Sequence, residues 1–396
     1  MNRLFLLMVL AWLPLLGACA ADRSRDERTV DAPSGPLARD PQGASKPAVT
    51  TATTPPVNAA PAAPAPLIAA TPAVPAAVAP LPEKLPGETH PGQFAFAREL
   101  AVKLGATRPD RSEAAINAIL AGAEYRESII AAMTRPAESV KAWREYRPIF
   151  INDARIDGGV AFLRDNRALL DEVSAQYGVP SEVIVAIIGV ETSYGRITGS
   201  YRVLDALATL AFYFPRRAPF FRGELAQLLS LPEETFPQPI ESLMGSYAGA
   251  MGWGQFMPTS FANWAVDHDR DGSIDLWNSK ADIFASIAKY FVDHGWQDDA
   301  PVVHRARAEA HAQPFVAAGL DPAVSVGRLR ELGYEPETKL DDAMPASLIT
   351  LEGAQGREYW ITHQNFFVIS RYNRSPMYSL AVHQLAERIR AGASGA

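Results

Sequence analysis

Cysteine is almost missing from this 396-residue chain, since Cys19 is the only one. Without a second cysteine no intramolecular disulfide can form, so the fold must rely on its core and on any metal that it binds. An excess of basic residues is lacking as well: the formal net charge is -7, and no basic patch with interleaved aromatic residues occurs. This composition argues against nucleic acid as a partner. No internal repeat is visible in the sequence.

A hydrophobic run long enough to span a membrane is not found at the N-terminus. The apolar stretch from Leu4 to Leu16 follows Arg3 and is too short to cross a bilayer, so residues 1–18 are predicted to be an export signal. Small residues directly precede Cys19, which resembles the lipobox of bacterial lipoproteins. Cys19 is then the predicted lipidation site and mature N-terminus, and Ala20 after it favours the outer membrane. An ordinary signal peptide with an incidental cysteine is the alternative.

The segment that follows has hardly any aromatic residue and no hydrophobic period. Residues 19–91 are dominated by Ala, Pro and Thr, a composition that predicts a disordered tether rather than a domain. As a flexible coil it would span about 45 to 50 Å. Together with lipidated Cys19, it predicts a periplasmic protein that is held at the outer membrane and reaches away from it.

Residues 92–396 are enough for a large core or for two or three subdomains. Helical patterns broken by Gly, Pro or polar turns cover Phe94 to Leu104, Ser112 to Ala121, Val160 to Tyr177 and Leu204 to Tyr213. After Pro301 the chain has short β-prone runs at Leu348 to Leu351, Tyr359 to Thr362 and Phe366 to Ser370. We therefore predict a mainly α (α+β) fold in which a small sheet is attached to a helical body.

Glu191 lies where a carboxylate is not expected. Apolar residues recur at helical spacing before it, at Ile184, Ile187 and Ile188, and Glu191 continues the same stripe. Burial of an ionised carboxylate is unfavourable unless it is paired, so such a group raises its pKa and keeps its proton near neutral pH. A general acid has this property. The alternative is a structural glutamate that pairs with an arginine such as Arg196.

A Gly-rich segment with aromatic residues runs from Ser246 to Pro258. Its small residues let a backbone approach a ligand closely. Its side chains Trp253, Gln255 and Phe256 could stack on sugar-like rings or hydrogen-bond to them. Alone, such a segment is more often a packing device; together with Glu191 it indicates a carbohydrate site.

Five ordered motifs make residues 92–396 resemble the membrane-bound lytic murein transglycosylases of the B type, periplasmic lipoproteins that cleave the glycan strands of peptidoglycan. They are E-T-S-Y-G at Glu191, F-P-R-R at Phe214 to Arg217, the segment Ser246 to Pro258, an Asp-rich loop that begins at Asp267, and Asn365 to Asn373. The resemblance implies a lysozyme-like catalytic core with a flanking helical domain (about 92–300), a small β-containing part (about 301–370), and a C-terminal helix that returns to the core.

The resemblance also implies the residues of the site. Glu191 matches the single catalytic acid and base, and Arg216 and Arg217 match a basic pair that would contact the peptide stem or carboxylates of the glycan. The positions that match a substrate cleft are Tyr146, Ser246, Gln255, Phe256, Met257, Tyr290, Tyr372, Asn373 and Tyr378. Each position other than Glu191 also has the alternative of a purely structural role.

The Asp-rich loop follows the spacing of an EF-hand only in part. Its residues Asp267, Asp269, Asp271, Gly272, Ser273 and Asp275 occupy positions 1, 3, 5, 6, 7 and 9. Position 12 is Asn278 instead of the usual glutamate, and the resemblance makes Asp282 the closing carboxylate. The predicted metal ligands are thus Asp267, Asp269, Asp271, Ser273 and Asp282, and the expected ion is a structural Ca²⁺ because hard oxygen ligands suit it. A solvated acidic turn without metal is the alternative.

The reaction that the resemblance implies needs one carboxylate and no cofactor. Protonated Glu191 would donate to the oxygen between N-acetylmuramic acid and N-acetylglucosamine, then take the proton of the muramoyl C6 hydroxyl as that oxygen closes on C1. The product is a 1,6-anhydromuramoyl end. A hydrolytic muramidase and a catalytically silent peptidoglycan-binding lipoprotein are the alternatives. Peptidoglycan strands are the expected partner, and cell-wall synthases or penicillin-binding proteins are candidate protein partners.

Overall fold

The computed structural model describes residues 90–134, 141–317 and 319–395. The predicted signal peptide, Cys19 and all but the last two residues of the predicted tether lie outside the described residues. All described residues belong to one compact unit.

The described chain forms a helical body, a five-stranded sheet and a separate two-stranded ladder. Its α-helices are α1 (Pro91–Leu104), α2 (Glu113–Ala121), α3 (Glu127–Thr134), α4 (Trp143–Phe150), α5 (Asp153–Asp165), α6 (Arg167–Tyr177), α7 (Ser181–Thr192), α8 (Val203–Tyr213), α9 (Ala218–Ser230), α10 (Pro258–Trp264), α11 (Lys280–Asp293), α12 (Val326–Glu331), α13 (Gln364–Tyr372) and α14 (Pro376–Ser394). Its strands are β1 (Tyr201–Arg202), β2 (Met244–Gly245), β3 (Val303–Ala308), β4 (Val324–Ser325), β5 (Tyr334–Pro336), β6 (Pro345–Gly353) and β7 (Gly356–Thr362).

Helix α7 is the centre of the helical body. It packs against α5, α6, α11 and α14, and every residue of α7 except Glu182 and Glu191 is buried. A helix that is apolar on all sides belongs inside a protein, so its few charged positions mark where it reaches the surface. Glu182 is such a position near the start of α7, and Glu191 is the other at its end.

The sheet is antiparallel and has the strand order β4-β6-β7-β3-β5. Strands β6 and β7 form a hairpin in which Gly353 pairs with Gly356 across a two-residue turn. The sheet has its own small apolar core with α12, built from Ala306, Val326, Leu329, Tyr334, Ala346, Leu348 and Ile361. Helices α13 and α14 then lead the chain away from the sheet, and α14 packs on α4, α5 and α7.

Two element predictions were wrong. The predicted helix Val160 to Tyr177 is broken at Asn166, whose side chain donates to the Phe162 carbonyl and competes with the backbone, so α5 and α6 are separate helices. The run Phe366 to Ser370 was predicted to be β-prone but lies in α13. Short apolar runs do not distinguish a strand from a buried helix, and here tertiary burial decides.

Among the described residues, no single helix is long and apolar enough to span a bilayer. Helices α6 and α7 are long and apolar enough only together, and they are bent by 111° at their junction.

Candidate active site

Glu191 lies in the last turn of α7, with part of its carboxyl-bearing side chain exposed. The Tyr378 hydroxyl, from the first turn of α14, donates to Glu191 Oε1 at 2.5 Å. Burial raises the pKa of Glu191 to about 8, against the opposing effect of the Tyr378 hydrogen bond. The side chain is therefore mostly protonated at neutral pH and can donate a proton at the protein surface.

Arg196 does not form the ion pair that the structural alternative requires. It is exposed, and its guanidinium donates to the Ser193 carbonyl at 2.9 Å. In the described chain, Tyr378 is the hydrogen-bond partner of the Glu191 carboxyl, and no arginine or lysine forms a salt bridge with it.

Tyr378 binds the Glu191 carboxyl, and Tyr146 and Tyr372 lie within reach of its charge. Burial raises the pKa of all three tyrosines, and the Glu191 charge raises it further. Tyr372 donates to the Gly254 carbonyl at 2.7 Å, so its ring ties α13 to the Gly-rich segment. Tyr290 lies behind it: the two ring centres are 4.7 Å apart, and Tyr290 donates to the Arg371 carbonyl at 2.6 Å.

The turn after Glu191 joins α7 to the Gly-rich segment. Ser193, Tyr194 and Gly195 all have left-handed backbones, with φ of 54°, 65° and 78°. Thr192 Oγ1 lies 3.1 Å from the Trp253 carbonyl and accepts from the Gly195 amide. A Cβ at Gly195 would lie 2.4 Å from the Trp253 ring, so glycine is required where the turn meets the segment.

The Gly-rich segment folds back on itself, and hydrogen bonds within the segment and one bond to Thr198 hold it in place. Ser246 Oγ accepts from the amides of Ala248 and Ala250, and Gln255 donates to the carbonyls of Thr198 and Gly252. Phe256 is only 2% exposed and packs on Tyr290 and Tyr372, so it does not offer a ring face for stacking on a sugar. The predicted stacking by Phe256 is corrected accordingly: its ring supports the tyrosines from below.

The remaining predicted cleft residues differ in their exposure and in their contacts. Met257 is partly exposed and precedes α10 as its N-cap. The Arg217 guanidinium lies 4.6 Å from the centre of the Phe220 ring, in a cation–π contact, and its pKa is lowered by burial and by neighbouring Arg216. Arg216 itself is exposed. Asn373 Oδ1 accepts from the Ser375 amide at the start of α14.

Three of the predicted metal ligands converge. Carboxylate oxygens of Asp267, Asp269 and Asp282 lie within 4.8 Å of one another, and Asp282 is fully buried at 0% exposure. Within the described chain none of the three forms a salt bridge with Lys or Arg. Burial raises the pKa of Asp282, and the negative charge of Asp269 raises it further. Asp267 is half-buried and Asp269 is exposed, so the cluster lies at the surface above one buried carboxylate. Three carboxylates this close together fit a hard divalent cation.

The Asp271 carboxylate is not among the oxygens that lie within 4.8 Å of one another, and Asp271 and Ser273 stay predicted ligands. The Asp271 carboxylate accepts from the amide and the hydroxyl of Ser273, so these two side chains bind each other. Asn278, at the position where an EF-hand has glutamate, donates to Asp275 and closes the loop. The acidic cluster is therefore centred on Asp267, Asp269 and Asp282.

Sequence reasoning missed one buried carboxylate beside the site. Glu224 of α9 is buried, and its Oε2 accepts from the Thr259 amide at 2.9 Å, which caps α10 directly after Met257. Burial raises the pKa of Glu224. The signal was available, because Glu224 interrupts the apolar residues of α9 in the way that Glu191 interrupts those of α7.

Comparison with known proteins agrees with this geometry. The transglycosylase SLT domain family matches residues 96–387. The membrane-bound lytic murein transglycosylase B of Escherichia coli strain K12 is 38% identical over 309 residues, which are 76% of this chain and 83% of that protein. The chain therefore belongs to the transglycosylase SLT family.

Two solved structures show the same fold. Soluble lytic transglycosylase SltB1 of Pseudomonas aeruginosa is 46% identical with a TM-score of 0.70, over 76% of this chain and 100% of that one. The Escherichia coli lytic transglycosylase Slt35 in complex with calcium is 37% identical with a TM-score of 0.68, over 76% of this chain and 94% of that one. The family and the lysozyme-like, mainly α fold predicted from the sequence are confirmed, as is the assignment as a peptidoglycan lytic transglycosylase.

Proposed function

We propose that this enzyme cleaves the bond between N-acetylmuramic acid and N-acetylglucosamine with Glu191 as its only catalytic carboxylate. The observation that carries the proposal is the half-buried residue Glu191, whose carboxyl pKa is raised to about 8 by burial and whose hydrogen-bond partner is a tyrosine. At pH 7 about nine in ten molecules then hold the proton on Glu191, as the first step requires.

One carboxylate serves both steps. Glu191 gives its proton to the glycosidic oxygen as the bond to C1 breaks, and it then takes the proton of the muramoyl C6 hydroxyl as that oxygen bonds to C1. A second carboxylate is needed only where water is activated or a covalent glycosyl-enzyme forms. Among the described residues, those whose pKa the Glu191 charge raises are the tyrosines Tyr146, Tyr372 and Tyr378.

The remaining cleft residues are proposed to bind the glycan. Tyr146, Ser246, Gln255, Met257, Tyr290, Tyr372 and Asn373 would shape the cleft wall, with Phe256 beneath it. Arg216 is exposed and Arg217 is held on Phe220, so the two can offer positive charge to carboxylates of the peptide stem.

The product of digestion tests the proposed reaction. Sacculi digested with the purified enzyme should give muropeptides with 1,6-anhydromuramoyl ends, which are lighter by one water than reducing ends. Mass spectrometry separates the two products. A digest dominated by reducing ends would instead establish the hydrolytic muramidase, and no released muropeptide would favour the silent binding protein.

We further propose that Asp267, Asp269 and Asp282 hold a structural Ca²⁺, with loop oxygens completing the coordination. Support comes from the three converging carboxylates described above. The loop adjoins the Gly-rich segment through the hydrogen bond from the Trp253 amide to the Leu276 carbonyl, and Asp282 lies in the first turn of the helix that carries Tyr290. The ion would neutralise the cluster and fix both walls of the cleft.

Removal of the ion should therefore lower stability. With calcium 100-fold above its Kd, we expect a chelator to lower the melting temperature by about 5 °C. In Asp282→Asn the same treatment should have no effect, whereas Asp165→Asn, an exposed control, should respond like the wild type. An unchanged melting temperature in the chelated wild type would reject the calcium site.

Location is proposed from the N-terminal sequence. Cleavage before Cys19 and its acylation would leave the enzyme in the periplasm, anchored to the outer membrane by its tether. Support is the run of small residues before Cys19, and the E. coli relative named above is described as membrane-bound. Cell-wall synthases or penicillin-binding proteins stay candidate partners.

A further inference from the structure

Tyr194, three residues after Glu191, lies in the helical core. Its side chain is 9% exposed, and its hydroxyl donates to the Arg155 carbonyl of α5 at 2.6 Å. Arg155 also contacts α7, because its guanidinium donates to the Gly189 carbonyl. One residue of α5 thus holds both the last turns of α7 and the turn that follows Glu191.

The Tyr194 ring occupies a slot that only glycines leave open. A Cβ at Gly189 of α7 would lie 2.7 Å from Tyr194 Cε1, and a Cβ at Gly159 of α5 would lie 2.6 Å from its hydroxyl oxygen. At neighbouring Gly158 the distance to the ring would be 3.2 Å. Three helical glycines on two helices therefore admit one aromatic ring, which a methyl group at Gly159 or Gly189 would displace.

The slot also borders α14. A Cβ at Gly159 would meet Ile389 Cδ1 of α14 at 2.5 Å, so α5, α14 and the Tyr194 hydroxyl meet at one point. Helix α14 carries Tyr378, whose hydroxyl binds the Glu191 carboxyl. The position of Tyr194 therefore fixes α7, which carries Glu191. It also fixes the distance between α5 and α14, which carries Tyr378.

We propose that Tyr194 is a positioning residue for Glu191: seated in the glycine slot and bonded to Arg155, it holds the end of α7 so that the Glu191 carboxyl stays on Tyr378 and faces the cleft. The inference rests on the proposed function of Glu191. The left-handed backbone at Ser193 and Tyr194 is the consequence, because the chain must reverse within two residues to insert the ring. Tyr194 itself does not touch the reacting atoms.

The test compares two variants of the slot with two matched controls in the full-length enzyme. Tyr194→Phe removes the hydroxyl, and Gly189→Ala displaces the ring. Tyr334→Phe removes the hydroxyl of another buried tyrosine, which donates to the Gln313 carbonyl at 2.8 Å, and Gly223→Ala adds a methyl group where no atom lies within 4 Å. Steady-state kinetics on uncrosslinked glycan strands and melting temperatures are measured for all four.

We expect Tyr194→Phe and Gly189→Ala to lower kcat by about tenfold with KM within about twofold, since misplacement of the acid slows the chemical step and not binding. Tyr334→Phe should lower the melting temperature by as much as Tyr194→Phe and leave kcat within about twofold. Gly223→Ala should match the wild type in kcat.

The inference is overturned if Tyr194→Phe keeps the wild-type kcat, or if the loss appears in KM. If Gly189→Ala does not fold, Tyr194→Phe alone decides. The proposed function is judged separately by Glu191→Gln. A dead Glu191→Gln with a normal Tyr194→Phe would reject only the positioning role, and an active Glu191→Gln would reject the function itself.

Discussion

Glu191→Gln lowers turnover of peptidoglycan by about 10³-fold or more while binding to sacculi stays near that of the wild type. Glutamine keeps the size of the side chain and its contact with Tyr378, but it can neither donate the proton to the glycosidic oxygen nor accept the one from the C6 hydroxyl. Both halves of the reaction are lost together. Turnover is measured by muropeptide release, and binding by co-sedimentation with sacculi.

The matched control for this variant is Glu99→Gln, at an exposed position of α1. It should have normal turnover, because Glu99 lies outside the cleft. Release by Glu191→Gln within about tenfold of the wild-type rate would contradict the assignment, whatever the control does. A variant that neither releases muropeptides nor binds sacculi would point to a damaged cleft, and its melting temperature would show this.

Tyr378→Phe has the second largest expected effect, a loss of about 10²-fold in kcat, typical of removing one oriented hydrogen bond to a reacting group. It should also move the alkaline limb of the pH profile. Because burial raises the pKa of Glu191 and the Tyr378 bond lowers it, removal of the hydroxyl raises the pKa above about 8. The protonated form then persists to higher pH, so the decline of kcat begins at higher pH than in the wild type.

The measurement is kcat from pH 5 to pH 10 for the wild type, Tyr378→Phe and the Tyr334→Phe control. In the wild type, kcat should fall tenfold per pH unit well above about pH 8, since only protonated Glu191 starts the reaction. An alkaline limb that stays in place or moves down in Tyr378→Phe would show that the hydroxyl does not act on the Glu191 proton.

The position of Glu191 was predictable from sequence because of a simple physical conflict. A carboxylate on an apolar helical stripe needs a compensating environment, and either a raised pKa or an ion pair provides one. The stripe could not decide between them, because the deciding partner, Tyr378, lies 187 residues further along the chain. Only the packing of α14 on α7 brings the two groups together.

The predictions failed where tertiary burial overrides local pattern. The run from Phe366 to Ser370 is apolar and β-prone, yet it forms α13, since Asn365 is buried and bound to the carbonyls of Gln297 and Ala300. Phe256 lies in a Gly-rich segment, a pattern that predicts an aromatic ring face for stacking on a sugar ring. Its burial under Tyr290 and Tyr372 depends on contacts with residues that are distant in the sequence. The local pattern therefore could not predict it.

The acidic loop shows what spacing leaves undecided. Its spacing predicts oxygen ligands for a metal, and Asp271 and Ser273 stay predicted members of that set. In the structure Asp271 and Ser273 bind each other, and the buried Asp282 supplies the third carboxylate from α11. Spacing along a loop identifies candidate ligands, whereas the orientation of each side chain depends on the hydrogen bonds it makes.

Burial keeps a proton on Glu191 at neutral pH. Titration of the side-chain carboxyl by ¹³C NMR of glutamate-labelled enzyme tests this directly, with the resonance assigned by its loss in Glu191→Gln. The carboxyl should titrate with a pKa of about 8. A carboxyl that titrates near the ordinary glutamate value of about 4.3 would contradict it, because Glu191 would then be ionised before it could donate.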